Sequence, residues 1–160
     1  MSTERQTILS SDRIYRYALW REWDMHNRSY AMFVGLNPST ADETLDDPTI
    51  RKCVGFAKRW GFGALCMTNL FAYRETNPRK MMGFGRPVGD ENDQWLTACA
   101  RDAGQIIAAW GTNGDFMARD EEVLKLLDGV ECLRRTKSGF PEHPLYVPYE
   151  IQPTAYEKSK

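Results

Sequence analysis

Apolar positions along the chain switch between two spacings, and the switches divide it into strands and helices. In residues 13–23, Tyr15, Tyr17, Leu19, Arg21 and Trp23 share one phase and Ile14, Arg16, Ala18, Trp20 and Glu22 the other, the alternation of a strand. Residues 30–36 form a short apolar run stopped by Asn37 and Pro38, and proline ends it because it cannot donate to a sheet ladder. With a polar turn around His26 and Asn27 between them, these two segments are expected to pair as an antiparallel hairpin. Residues 47–60 read as a helix: Pro48 suits the first turn, and Ile50, Cys53, Val54 and Ala57 fall on one face. Gly61 and Gly63 stop it. Residues 64–71 are then a second apolar strand, with polar Thr68 and Asn69 near its carboxyl end.

Asn77 and Pro78 open a short helical stretch, and a glycine-rich loop runs over 83–89. A helix over 90–103 turns Trp95, Leu96 and Cys99 inward, a third buried strand over 105–110 ends at Gly111, and a further helix covers 115–127. A short strand over 130–133 leads into a loop over 136–149. Strands alternating with helices predict an α/β fold, a three-layer α/β/α arrangement with a central, mostly parallel sheet and the N-terminal β-hairpin at its edge. No repeat, low-complexity stretch or linker interrupts the pattern, so residues 1–160 are expected to form a single domain.

Composition narrows the class. A hydrophobic content of 42% excludes a disordered chain, and no apolar run approaches the roughly 18–20 residues of a membrane span. The first residues, MSTERQTILSSDR, lack an apolar signal core and an Arg/Ser-rich transit pattern, so a cytoplasmic location is expected. Cys53, Cys66, Cys99 and Cys132 are scattered without a CxxC pair, which reads as buried free thiols and implies neither metal nor cofactor. A formal net charge of -1 argues against a general nucleic-acid coat, so any contact with a polyanion is local. Candidates for it are Arg51, Lys52, Lys58 and Arg59, then Arg74, Arg79 and Lys80, then Arg134, Arg135 and Lys137.

Three polar clusters fall at the carboxyl ends of buried strands, where ligands of open α/β sheets gather: Asn37 to Thr40, Thr68 and Asn69 with Arg74, and His143 in the last loop. The first belongs to the segment GLNPSTAD, residues 35–42, which is also ordinary turn chemistry. Asn69 has no evident turn to make, and an amide offers the donor and acceptor needed to read the edge of a base. His143 is bracketed by Pro141 and Pro144, which restrict the backbone that carries its ring. Together the clusters predict a small polar pocket for a nucleobase-like ligand, because buried polar groups demand partners.

In this order the segments resemble the uracil-DNA glycosylase superfamily, and more closely an uncharacterised bacterial and phage family that resembles a remote branch of it. Gly35-Leu36-Asn37-Pro38-Ser39 resembles the first active-site motif, in the version where asparagine positions the attacking water. Met67 to Arg74 is similar to the strand whose asparagine reads the base, and His143-Pro144-Leu145-Tyr146 to the His-Pro turn whose histidine contacts it. The resemblance implies a DNA base-excising enzyme with no cofactor, acting on DNA or a nucleotide. Asn37 and His143 would be catalytic, and Gly35, Leu36, Pro38, Ser39, Thr40, Asn69, Arg74, Pro144 and Tyr146 would hold the substrate. Arg51, Lys52, Arg79 and Lys137 would meet the nucleic acid. A neutral amide cannot deprotonate water, so bond cleavage must run ahead of attack unless Asp42, Asp46 or Asp47 supplies a carboxylate, Asp42 being the first candidate. Residues 43–49 carry no aromatic ring where the superfamily stacks one on the base, and Tyr146 and Tyr149 stand where it carries small residues. A transferase acting on nucleotides or hypermodified bases, and a non-catalytic nucleic-acid-binding module, are the alternatives.

Overall fold

In the computed structural model, which describes residues 5–157, the apolar segments assemble into one seven-stranded sheet. The first and last few residues of the expected 1–160 span, including the start of the N-terminal segment, lie outside the described residues. The strands are β1 (Ile8–Leu9), β2 (Arg16–Glu22), β3 (Tyr30–Gly35), β4 (Ala64–Asn69), β5 (Gln105–Ala108), β6 (Val130–Cys132) and β7 (Thr154–Ala155), in the order β1-β2-β4-β3-β5-β6-β7. The central four, β4-β3-β5-β6, are parallel, while β1, β2 and β7 pair antiparallel at the two sides. Two-residue strands carry no periodic signal, and β1 and β7 are not foreshadowed in the sequence.

The expected hairpin does not form. β4 is inserted between β2 and β3, pairing antiparallel with β2 (Leu19 opposite Met67) and parallel with β3 (Gly35 opposite Asn69). The polar link between β2 and β3 bonds instead to the turn that precedes β4. Trp23 and Asp24 donate their backbone N–H to Gly63 O, Asn27 Nδ2 donates to Gly61 O, and Gly63 N donates to Ser29 O. A β-carbon on Gly63 would overlap the Asn27 carbonyl, so this close approach requires glycine there.

Helices cover both faces of the sheet. Strand residues of one phase, among them Ala31, Phe33, Leu65, Met67 and Ile107, pack against Ile50, Cys53, Phe56 and Ala57 of α1 (Pro48–Arg59). The other phase, including Met32, Val34, Cys66, Ile106 and Ala108, packs against Met81 of α2 (Pro78–Gly83), Leu96 and Cys99 of α3 (Asn92–Arg101) and Val123 of α4 (Arg119–Leu126). This is a layered α/β domain, and all four cysteines are buried within it and unpaired. Of the expected inward residues of α3, Leu96 and Cys99 are buried, while Trp95 is half-buried and donates Nε1 to Glu91. The helix expected over 115–127 is shorter. A 3-10 segment, Gly111–Ala118, precedes α4, and Met117 and Ala118 take φ of 58° and 54°, which prevents one continuous helix. Among the described residues no helix is long and apolar enough to cross a membrane.

Candidate functional site

The chain leaves β3 for one side of the sheet through α1 and β4, and returns to the other side of β3 with β5. In such sheets the carboxyl ends of the strands at this reversal leave a crevice. Here it is a cavity of about 540 Å³, lined by Gly35 to Ser39 after β3, Asn69 at the end of β4, and Ala109 to Asn113 after β5. Arg16 at the start of β2, Asp47 and Thr49 at the start of α1, and Thr136, Glu142, His143, Leu145 and Tyr146 of the last loop also line it, with Ile50, Met67, Glu75, Thr76 and Pro78.

Main-chain bonds fix the GLNPS wall to the end of β4. Leu70 N donates to Gly35 O at 2.9 Å, Phe71 N to Leu36 O at 3.0 Å and Glu75 N to Pro38 O at 2.9 Å. Asn37 spends its amide nitrogen on Glu75 O (2.6 Å) and Pro38 O (3.3 Å), which leaves Oδ1, an acceptor, as the atom it can offer a ligand or water.

Asn69 is 2% exposed, and its Nδ2 is buried without a hydrogen-bond partner among the described residues. The backbone that carries it is held from behind. Buried Asn92 donates from Nδ2 to Asn69 O and Leu70 O, both at 3.0 Å. Arg119, also 2% exposed, donates from Nε to Leu70 O at 2.9 Å and pairs with Asp93 at 2.5 Å. Two further cavity residues share the condition of Asn69: Trp110 Nε1 and Arg16 Nε are likewise buried donors without a partner among the described residues. A buried donor left unmade costs about 1–3 kcal/mol, and three such donors belong to residues that line one cavity.

His143 caps the 3-10 helix Pro144–Tyr146, its Nδ1 accepting from Leu145 N at 3.2 Å. With Nδ1 an acceptor, the neutral ring carries its proton on Nε2. Burial lowers the affinity of this imidazole for a second proton, and the charge of Asp47 partly opposes that shift. Asp47 is the N-cap of α1, accepting from Ile50 N at 2.9 Å. Its field reaches Arg16 as well, whose pKa burial brings down to about 10, so the guanidinium keeps its charge at neutral pH.

Of the residues singled out in the sequence, Gly35, Leu36, Asn37, Pro38, Ser39, Asn69, His143 and Tyr146 line this one cavity. Tyr146 is 71% exposed at its mouth, its ring centroid 5.9 Å from that of His143. Pro144 is buried beneath the loop and does not line the cavity. Thr40 and Arg74 open onto a neighbouring groove that shares Ser39, Glu75 and Thr76 with the main cavity, and Ser39 Oγ lies 3.0 Å from Thr76 Oγ1 across that shared wall.

Asp42 stands outside the cavity. Its carboxylate accepts from Thr44 N and Leu45 N, bonds that hold its proton affinity below the usual carboxylate range, and it lies 3.8 Å from Arg13. Asp46 pairs with Arg21 at 2.7 Å, so Asp47 is the aspartate of this segment at the cavity. Lys52 sits over the Tyr149 ring at 4.4 Å, and Arg51, Arg79 and Lys137 are exposed. Arg79 follows the lining residue Pro78, Lys137 follows Thr136, and Arg51 comes two residues after Thr49. Among the described residues no group of three or more His, Cys, Asp or Glu side chains is placed to hold a metal ion. Sequence reasoning missed Arg16 and Trp110. Arg16 left a signal, because it shares a strand phase with Ile14, Ala18 and Trp20.

No curated protein and no solved structure matches the chain. A family model does, over residues 16–145, a span that begins on Arg16 and takes in every cavity-lining residue except Tyr146. The chain belongs to this family, described as Protein of unknown function (DUF1643).

Proposed function

We propose that this chain is a base-excising enzyme of the N-glycosylase type, which takes a flipped or modified pyrimidine into the cavity at the carboxyl ends of β3, β4 and β5. The observation that carries the reading is the set of buried, unpartnered donors on Asn69, Trp110 and Arg16 around one cavity. A pyrimidine ring with exocyclic oxygens supplies the acceptors they lack. About 540 Å³ is also within the usual size of small-molecule sites, roughly 300–1,000 Å³.

In this reading Asn69 Nδ2 donates to the base edge and His143 Nε2–H to an oxygen on which charge grows as the glycosidic bond breaks. The bonding pair leaves with the base. A water oriented by Asn37 Oδ1 then bonds to the sugar carbon, and Asp47 receives its proton, the task Asn37 cannot perform. Preorganised donors at the site of growing charge are worth on the order of 10²–10³ in rate each. Extrusion of a base costs a few kcal/mol, which hydrogen bonds and ring contacts must offset. Tyr146, exposed beside His143, supplies a ring in place of the segment 43–49. The groove beside Ser39 and Thr76, with Arg74 on its wall, continues from the cavity and suits the sugar-phosphate that adjoins the base.

Mass-spectrometric detection of free base tests the reading, using single- and double-stranded oligonucleotides that carry uracil and modified pyrimidines. Release by the wild type that is lost in Asn37→Ala and in His143→Ala supports it. Absence of release from every substrate overturns excision. If free nucleotides then stabilise the protein while duplex DNA does not, the same cavity serves nucleotide-level chemistry.

A further inference from the structure

Arg16 is the most buried charge at the cavity, and the groups around it do not neutralise it. Only 2% of the residue is exposed, its Nη1 donates to Ala41 O at 3.0 Å, and its Nε has no partner among the described residues. The charged groups that act on it are Asp47, Asp42, Arg74 and Arg21. Both aspartates are engaged elsewhere, Asp47 with Ile50 N, and Asp42 with Thr44 N and Leu45 N, and neither forms an ion pair with Arg16 among the described residues. Arg21 has its own carboxylate in Asp46, and Arg74 donates to Arg13 O. Arg16 is thus a buried cation facing a cavity, with one carbonyl as the only hydrogen-bonding partner of its guanidinium among the described residues. Isolated buried charge is strongly unfavourable, and proteins keep it where a counter-charge arrives.

We propose that Arg16 is the anion receptor of this cavity, and that the ligand presents an oxyanion to its guanidinium. The fork of a guanidinium matches a carboxylate or a phosphate, through two parallel N–H donors. Resting on the nucleobase reading, this narrows the ligand to a pyrimidine with a carboxylate on the ring or to a pyrimidine nucleotide whose phosphate turns inward. A neutral base leaves the guanidinium uncompensated and is the poorer ligand. The inference deepens the reading of the same site, since it assigns a charge to a ligand so far defined by its hydrogen-bond acceptors.

Calorimetric titration of the full chain with uracil, 5-carboxyuracil, uridine, uridine monophosphate and inorganic phosphate tests this. Either 5-carboxyuracil binds about tenfold or more tighter than uracil, or the monophosphate does so relative to uridine, and the better pair names the source of the oxyanion. In Arg16→Gln that preference falls to about unity, whatever happens to the affinities in common. Equal affinity of charged and neutral partners in the wild type overturns the receptor while leaving the nucleobase reading intact. Binding of inorganic phosphate that Arg16→Gln abolishes, with no pyrimidine bound, supports the receptor and overturns the nucleobase. Arg16→Met gives a readout independent of any ligand. If the charge serves a ligand, the unliganded variant melts no lower than the wild type, because an apolar chain of similar length removes the buried cation. A melting point several degrees lower makes Arg16 a structural tie to Ala41 and overturns the proposal.

Discussion

Gly35 and Asn69 stand opposite each other in the β3–β4 ladder, and a β-carbon on Gly35 would lie 2.8 Å from the Asn69 side-chain oxygen. The same carbon would lie 2.9 Å from Met67 Cε, so the amide is packed against bare backbone with no slack. Gly35→Ala therefore displaces the side chain at the cavity wall before it disturbs anything else. A stability loss of about 1–3 kcal/mol is expected from the overpacking, read by urea denaturation. Ligand affinity in the folded fraction falls with it. A variant that keeps both affinity and stability shows that Asn69 is free to move aside.

Asn69→Leu separates binding from folding. The Asn69 Nδ2 makes no hydrogen bond among the described residues, so replacing the amide by an apolar group of similar size leaves stability within about 1 kcal/mol of the wild type. A ligand that accepts from that nitrogen loses about 1–3 kcal/mol of binding, roughly tenfold or more in affinity. The pair of measurements is thermal melting and calorimetric titration. A large drop in melting temperature with unchanged affinity reverses the assignment and makes Asn69 a structural amide.

Much of this was legible in the sequence, and for local reasons. The alternation in β2, the proline stop after β3, the Asp47-Pro48 start of α1 and the out-of-place Asn69 each express a rule that operates within a few residues. Strand order is different in kind. Nothing in residues 13–36 states that β4 enters between β2 and β3, because that outcome depends on the bonds from Trp23, Asp24 and Asn27 to the Gly61–Gly63 turn, which lies beyond the segment. The same limit applied to the cavity. Asn37, Asn69 and His143 each follow or end a segment recognisable in the sequence, whereas Arg16 enters from β2, which lies between β1 and β4 and runs antiparallel to both. Its position at the carboxyl ends of the central strands follows from topology alone. Asp42, the first candidate from the sequence, closes its own loop, while Asp47 caps α1 at the cavity.

Acid lability is expected from His143. Burial lowers its pKa in the folded protein below the ordinary 6.5, so the folded state binds fewer protons than the unfolded chain once pH drops under that value. Stability is unaffected by this group above about 6.5, falls as pH decreases below it, and stops falling once pH passes beneath the folded-state pKa. His143→Asn isolates the effect, since asparagine preserves the side-chain acceptor for Leu145 N and does not titrate. Melting temperature is measured from pH 7.5 down to about 5 for both proteins. The wild type loses more than the variant across that window. Parallel curves place the protonation elsewhere.

The two aspartates offer a direct test of which carboxylate the chemistry uses. Asp47→Asn keeps the acceptor that caps α1 at Ile50 N, and asparagine caps helices as well as aspartate does, so the fold is retained. What disappears is a negative charge whose field reaches both His143 and Arg16. If Asp47 takes the proton of the attacking water, the rate of base release falls about 10²–10⁴-fold. Asp42→Asn removes a charge that serves the loop through Thr44 N and Leu45 N and stands near Arg13, and it leaves the rate within a few-fold. Single-turnover release of base by the two variants, at equal folded concentration, decides between them. The reverse ranking returns the catalytic role to Asp42, and it requires the loop of residues 42–45 to swing its carboxylate away from the two backbone N–H groups it now satisfies.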